Sequence, residues 1–243
     1  WQSVGFNHGV MNTDNMSILG ETFDYGPYAF MENYDPNYIC NHTDSQGRYS
    51  FSNQPKIAEW NCYALASALI DIYSETELRD ILSKFNGYFY DSLIEKYRKK
   101  LGLKSALDND FDLLLKLFEV METDNLDYTN TFRDLSKIVS LPGNYKLSKK
   151  LTLWITSFKD RLIEDENTIE ESISMMDDNN PKYILRNYLA QSAIEDAEIG
   201  KSKKIDELAE VLRDPYIDQG KSMEHFCKPA PEEQQNQKLS CSS

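Results

Sequence analysis

From residue 55 onward the apolar positions recur with helical spacing, whereas the first 55 residues set short β-forming runs between glycines and prolines. Lys56 to Tyr73 puts Ile57, Trp60, Ala64, Ala68 and Ile72 on one stripe, and Asp110 to Glu122 carries Leu114, Leu117, Phe118 and Met121 likewise. Each stripe predicts a helix with that face in a core. Further helices are predicted over Thr129 to Val139, Leu151 to Glu164, Pro181 to Glu198 and Lys203 to Leu212, with Pro181 in a first turn after Asn179 and Asn180. Lys146, Lys149 and Lys150 read as a solvated helix start. After Pro215 the chain is rich in Gln, Pro and Ser and is expected to be extended. The pattern predicts a mainly α fold with a small β hairpin region, divided as 1–54, a helical zone 55–214 and a tail 215–243.

Charge narrows the function classes. With 26 Lys and Arg against 40 Asp and Glu, the net charge is −14, so a generic nucleic-acid binder is not expected unless a local patch reverses the sign. The uncharged run from Trp60 to Ile70 is about half of the ~20 residues that cross hydrocarbon, so no membrane span is expected. Four cysteines, Cys40, Cys62, Cys227 and Cys241, are too few for a disulfide scaffold at this length and suggest a reducing or mildly redox-active setting. The chain opens on Trp1 in what reads as the middle of a folded unit, so a C-terminal portion of a longer protein is expected.

Chemistry concentrates between His8 and Gly26. A two-residue turn at Leu19-Gly20 would set Asn15 opposite Asp24 on a hairpin, with Cβ atoms about 5 Å apart. One amide oxygen and one carboxylate at that spacing suit Mg²⁺, which keeps its remaining positions for water and phosphate oxygens. Asn12-Thr13-Asp14-Asn15 also has the composition of an ordinary turn whose side chains bond their own backbone, and His8 alone reads as a structural histidine. Set beside the protein-kinase pattern His-Arg-Asp-Leu-x-x-x-Asn followed by Asp-Phe-Gly, His8 falls on the histidine, Asn15 on the metal-binding asparagine and Asp24-Tyr25-Gly26 on Asp-Phe-Gly. The kinase base position holds Val10, which accepts no proton; Asp14 is a spare carboxylate nearby.

The string from His8 to Gly26, then Ile39 to Asp44 and Gly47-Arg48-Tyr49, closely resembles the selenoprotein O family of protein adenylyltransferases, a pseudokinase family. Asp127 to Arg133, Asn180 to Gln191 and the terminal Ser240-Cys241-Ser242-Ser243 resemble the same family, in order and over nearly the whole chain. The resemblance implies a protein-kinase-like C-terminal lobe with a family-specific helical extension. It implies ATP bound in a flipped pose and AMP transferred to protein Ser, Thr or Tyr hydroxyls. Carried over by position, Asp14 is the proton acceptor, Asn15 and Asp24 are the Mg²⁺ (or Mn²⁺) ligands, and Asp24 also contacts the nucleotide. Protein substrates and ATP are the implied partners. Family members in animals and fungi are mitochondrial and bacterial ones cytosolic, so a mitochondrial location is expected, or cytoplasmic for a bacterial source. Glu21, Cys62 and the Pro229 to Glu232 stretch depart from the family's pattern away from the metal pair. A phosphate-gripping loop, a lysine and its glutamate partner are not found here, so this portion alone is expected to be inactive. An orthodox protein phosphotransferase and a non-catalytic helical interaction module are the alternatives.

Cys241 stands where animal members carry selenocysteine. With Cys40 in the activation-loop-like segment, it suggests a Cys40–Cys241 disulfide tying the tail across that loop, against two unrelated reduced thiols. Cys40-x-His42 and His225-x-Cys227 together hold the residue types of a zinc site, at tighter spacing than usual. Arg48 and Arg186 are candidates for phosphate or loop anchoring, the commoner use of a lone arginine being an ion pair.

Overall fold

Polar caps fix where four of the helices begin. Ser74 and Thr168 form capping boxes with Glu77 and Glu171, while Asp127 and Ser148 accept the backbone N–H three residues on, from Asn130 and Leu151. A computed structural model describes residues 1–141, 143 and 145–234. Among them the helices are α1 Gln54–Ala68, α2 Glu75–Leu82, α3 Phe85–Lys100, α4 Asp110–Thr123, α5 Tyr128–Ser140, α6 Lys149–Ile163, α7 Ile169–Asn179, α8 Asn187–Glu198 and α9 Lys203–Val211. The sheet is one antiparallel pair, β1 Phe6–Asn7 with β2 Ala29–Phe30, in the register Phe6 to Phe30 and Asn7 to Ala29. The protein is therefore mainly helical with a small β element near its start. No helix among the described residues is long and apolar enough to cross a membrane.

The main core is built by α3 to α7 around Leu117, Phe132, Leu135 and Phe158, and it takes in Met31 and Phe51 from the amino-terminal zone. A second cluster joins Tyr183, Ala193 of α8, Leu208 and Val211 of α9, and Phe226. One charge cluster inside the main core is matched: Asp110 accepts from Arg98 and Arg161, each at 2.7 Å, with its own side chain 1 % exposed. Burial raises the Asp110 pKa, but the two guanidinium groups and the Leu107 N–H outweigh it and leave the carboxyl below its usual value.

Several helical expectations need correction. α1 ends at Ala68, and its buried residues are Gln54, Ile57, Asn61 and Ala66; Trp60, Ala68 and Ile72 are exposed. α2, α3 and α7 were not predicted. Ile81, Tyr88 and Tyr90 face solvent, which blurs the apolar period of α2 and α3. Pro181 is not in a helical first turn: residues 181–184 are buried and non-helical, and α8 begins only at Asn187. The Pro215 carbonyl holds this segment by accepting from the Lys182 and Tyr183 N–H groups at 2.8 and 3.1 Å. The tail is not simply extended, since Lys221–Cys227 winds into 3₁₀ turns and buries Phe226.

Candidate active site

Asp14, Asn15 and Asp24 all sit on loops fixed to one stretch of backbone, residues 6–11. Gln54 of α1 accepts from the buried His8 N–H at 2.9 Å and donates to the Phe6 carbonyl at 2.9 Å. Asn61, two turns further along α1, donates to the Met11 carbonyl at 3.0 Å. Asn41 donates to the Gly9 carbonyl at 3.3 Å. Asn7 donates to the Tyr38 and Tyr49 carbonyls, both at 3.2 Å, and accepts from the Cys40 thiol at 2.9 Å. Side-chain amides thus pair polar backbone that would otherwise be buried unsatisfied. Gly9 is required where it stands, with φ +80°, because a Cβ there would lie 2.6 Å from Cys40 Sγ.

Onto this frame His8 and Val10 each fasten one arm of the site. The Asn15 Nδ2 donates to the Val10 carbonyl at 3.0 Å, tying the 3₁₀ turn Thr13–Asn15 back to this backbone. The His8 ring is 1 % exposed, and its Nε2 donates to the Phe23 carbonyl at 2.9 Å, so the residue before Asp24 is held by His8. Because a carbonyl only accepts, Nε2 carries the proton, and the buried Nδ1 has no hydrogen-bond partner among the described residues. The ring stacks on Trp1 with centroids 5.3 Å apart. Asp14 and Asp24 are exposed and Asn15 is half-buried. Asp24 adopts φ +56°, a left-handed conformation uncommon outside glycine, and its carbonyl accepts from the Gly26 N–H at 2.8 Å.

The expected hairpin ladder does not form. Residues 16–24 contain no strand, and the turn is Ser17 to Gly20, closed by the Gly20 N–H on the Ser17 carbonyl at 3.1 Å and by Leu19 N–H on the Ser17 hydroxyl. Its central residues Ile18 and Leu19 are 82 % and 78 % exposed, so no layer packs on them, and an isolated hairpin is marginal without one. The antiparallel pairing falls further out, on β1 and β2, in a register that does not oppose Asn15 to Asp24. The link between the two residues is His8 and Val10 rather than a ladder.

The zinc quartet is overturned. Among the described residues no three His, Cys, Asp or Glu side chains gather to hold a metal, and His225 and Cys227 bond carbonyls of their own segment, Ser222 and Glu224. Cys40 is wholly buried against Asn7, and Cys241 lies outside the described residues. Arg186 is an anchor, fully buried between Glu32 and Asp127. Burial nonetheless raises the Glu32 carboxyl pKa against the opposing pull of Arg186. Glu32 also accepts from the Ala230 N–H at 3.2 Å, so this ion cluster joins β2's exit, the start of α5 and the tail. Arg48 lies exposed over the Trp60 ring.

Gln54 and Asn61 were missed as site residues by sequence reasoning. The available signal was two amides seven residues apart on one helix face, flanking the buried Ile57.

A family profile described as "Protein adenylyltransferase SelO" matches residues 1–213. The chain is 44 % identical over 254 residues to the protein nucleotidyltransferase YdiU of Vibrio parahaemolyticus, covering all of this chain and 52 % of that protein. It is 44 % identical to the YdiU of Vibrio atlanticus and 43 % identical to that of Pseudomonas aeruginosa, in each case over all of this chain and 51 % of the relative. The chain spans about half the length of the curated relatives it matches. From the His8-to-Gly26 loops to the end of α9, this chain belongs to the SelO family of protein adenylyltransferases.

Proposed function

We propose that this chain carries the metal-binding and acceptor-facing part of a protein adenylyltransferase, with a protein-kinase-like C-terminal lobe, that transfers AMP from ATP to Ser, Thr or Tyr hydroxyls of proteins. The observation that supports it best is the double fastening of the site: His8 holds the Phe23 carbonyl and Asn15 holds the Val10 carbonyl. That leaves the Asn15 amide oxygen and the Asp24 carboxylate as the outward donors. Two hard oxygen donors without thiolate or imidazole suit Mg²⁺, which retains water and phosphate ligands, and do not suit zinc. In this reading Asn15 and Asp24 hold the ion, and Asp24 also meets the nucleotide. Bound there, magnesium supplies charge stabilisation on the phosphates.

Asp14 is exposed on the turn that Asn15 closes, and in this reading it takes the proton from the acceptor hydroxyl as that oxygen bonds the α-phosphorus and pyrophosphate departs. Val10 fits the same reading, because a base placed for γ-phosphoryl transfer has no work when the α-phosphate is presented. Taken alone, this stretch is inactive in the proposal, since it holds no phosphate-gripping loop with its lysine and glutamate. The relatives are bacterial, which favours a cytosolic setting over the mitochondrial one expected from the resemblance. A Cys40–Cys241 disulfide is the redox arm of the proposal. It requires the Cys40 thiol to leave Asn7, and peptide mapping of oxidised protein tests it, persistent thiols at both positions ending it.

Incubation of the active protein with α-labelled and with γ-labelled ATP tests the transfer itself. Label on protein only from the α position, lost in Asp24→Ala, is the expected result. Label from the γ position only would establish a phosphotransferase instead.

A further inference from the structure

Arg48 is an anomaly of charge. Each of the other six arginines, Arg79, Arg98, Arg133, Arg161, Arg186 and Arg213, meets a carboxylate within 4.0 Å. Arg48 makes no ion pair among the described residues, in a chain with a net charge of −14. Its guanidinium carbon instead sits 5.1 Å from the Trp60 ring centroid and 5.6 Å from that of Tyr49. Trp60 is 50 % exposed on α1.

The platform is held by side-chain hydrogen bonds to its backbone and it is joined to the candidate site. Asp44 spends its two carboxylate oxygens on backbone, accepting from the Arg48 N–H at 2.9 Å and the Tyr49 N–H at 2.8 Å, while Asn53 donates to the Arg48 carbonyl at 2.5 Å. The Tyr49 hydroxyl donates to the Asn12 side chain, immediately before the turn that bears Asp14 and Asn15. Asn61, the neighbour of Trp60, holds the Met11 carbonyl. Both aromatic supports are therefore tied to residues 11–12.

A guanidinium stacked on rings keeps its N–H edge for a planar anion, and Arg binds carboxylates in bidentate fashion where Lys is only a point charge. We propose that Arg48, stacked on Trp60 beside the Asp14 turn, docks an acidic side chain of the acceptor protein, so that hydroxyls flanked by Asp or Glu are selected. The proposal rests on the transfer reading above and names the acceptor's chemistry.

Two peptides with the same acceptor hydroxyl, one flanked by Glu and one by Gln, test it with the active protein. The Glu peptide is expected to have the higher kcat/KM by about tenfold, equivalent to ~1.4 kcal/mol. Arg48→Ala and Arg48→Lys are expected to erase the difference, and Arg48→Glu to turn the preference toward a Lys-flanked peptide. Persistence of the Glu preference in Arg48→Ala, or an effect confined to the KM for ATP, which would make the anion a nucleotide phosphate, overturns the proposal. Fluorescence anisotropy of labelled peptides separates the two claims. Protein that transfers no AMP but binds the Glu peptide through Arg48 sinks the transfer reading and upholds the docking. Protein that transfers AMP without distinguishing Glu from Gln sinks the docking alone.

Discussion

The His8 ring holds the Phe23 carbonyl at 2.9 Å, and this one bond joins the loop before Val10 to the residue before Asp24. His8 is buried, stacked on Trp1, and exposes no nitrogen for chemistry with a substrate. Its role is to position.

His8→Phe tests that role. The ring can still stack on Trp1, but the Phe23 carbonyl loses its donor, at about 1 kcal/mol of stability. The left-handed backbone of Asp24 then loses the constraint next to it. In the proposed function Asp24 is a metal ligand, and groups that orient one from behind are typically worth about 10- to 100-fold in metal affinity or activity. A fall of that size in Mg²⁺-dependent AMP transfer, with a near-native melting curve, is the expected outcome. Unchanged magnesium dependence would show that Asp24 is placed without His8.

The amide clamp of α1 gives a second prediction. Gln54→Ala leaves two buried backbone groups unpaired, the His8 N–H and the Phe6 carbonyl, and is expected to cost about 2–4 kcal/mol. Asn61→Ala strips only the Met11 carbonyl and is expected to cost about 1–3 kcal/mol. Urea denaturation measures both. Because the two amides grip one loop, their double mutant should depart from additivity by more than about 0.5 kcal/mol.

These side chains show where sequence reasoning reaches and where it stops. The hydrophobic period located α4, α5, α6 and α9, since Leu117, Phe132, Phe158 and Val211 are each fully buried on the inner face of an amphipathic helix. The same rule misread α1, whose buried face is half amide and whose largest apolar residue, Trp60, points outward. A buried Gln or Asn carries no apolar signal, because it is buried for its hydrogen bonds. The segment bearing Asp14, Asn15 and Asp24 was legible as a motif. Its shape was not, because it is set by His8 and Gln54 from either side and not by strand pairing. Arg186 and Asn180, read as parts of long signatures, turned out to hold the fold: Asn180 donates to the Lys100 and Met176 carbonyls at 2.8 Å.

Asp110 provides a test of the core that leaves the site aside. Its carboxylate neutralises two arginines, one of them, Arg161, almost wholly buried. Asp110→Asn keeps the volume but leaves Arg98 without its carboxylate and Arg161 with Asp165 alone, at 3.3 Å. A loss of about 3–5 kcal/mol is expected, the usual result of removing one member of a buried ion pair. Arg79→Ala breaks only an exposed i, i+4 pair with Glu75 and is expected to leave the denaturation midpoint unmoved.

Lys100 makes stability depend on pH in an unusual direction. Its amine is buried with no carboxylate partner among the described residues, 4.5 Å from the Phe132 ring centroid, and burial lowers its pKa from 10.5 to about 7. The ring face compensates part of the charge but not its lost hydration. Between those two pKa values the unfolded chain binds a proton that the folded chain does not, so unfolding becomes less favourable as pH rises. The slope can reach ~1.4 kcal/mol per pH unit and vanishes below about pH 7, where both states are protonated. Burial raises the pKa of Cys62, Tyr97 and Tyr128, which reverses the trend at more alkaline pH, so the clean window is about pH 7 to 8.5. Urea denaturation at the two ends of that window should show the protein gaining about 1–2 kcal/mol at the upper end. Lys100→Met removes the buried amine, and is expected to be the more stable protein at pH 7 and to show no gain across the window. A slope that survives the substitution would assign it to another group.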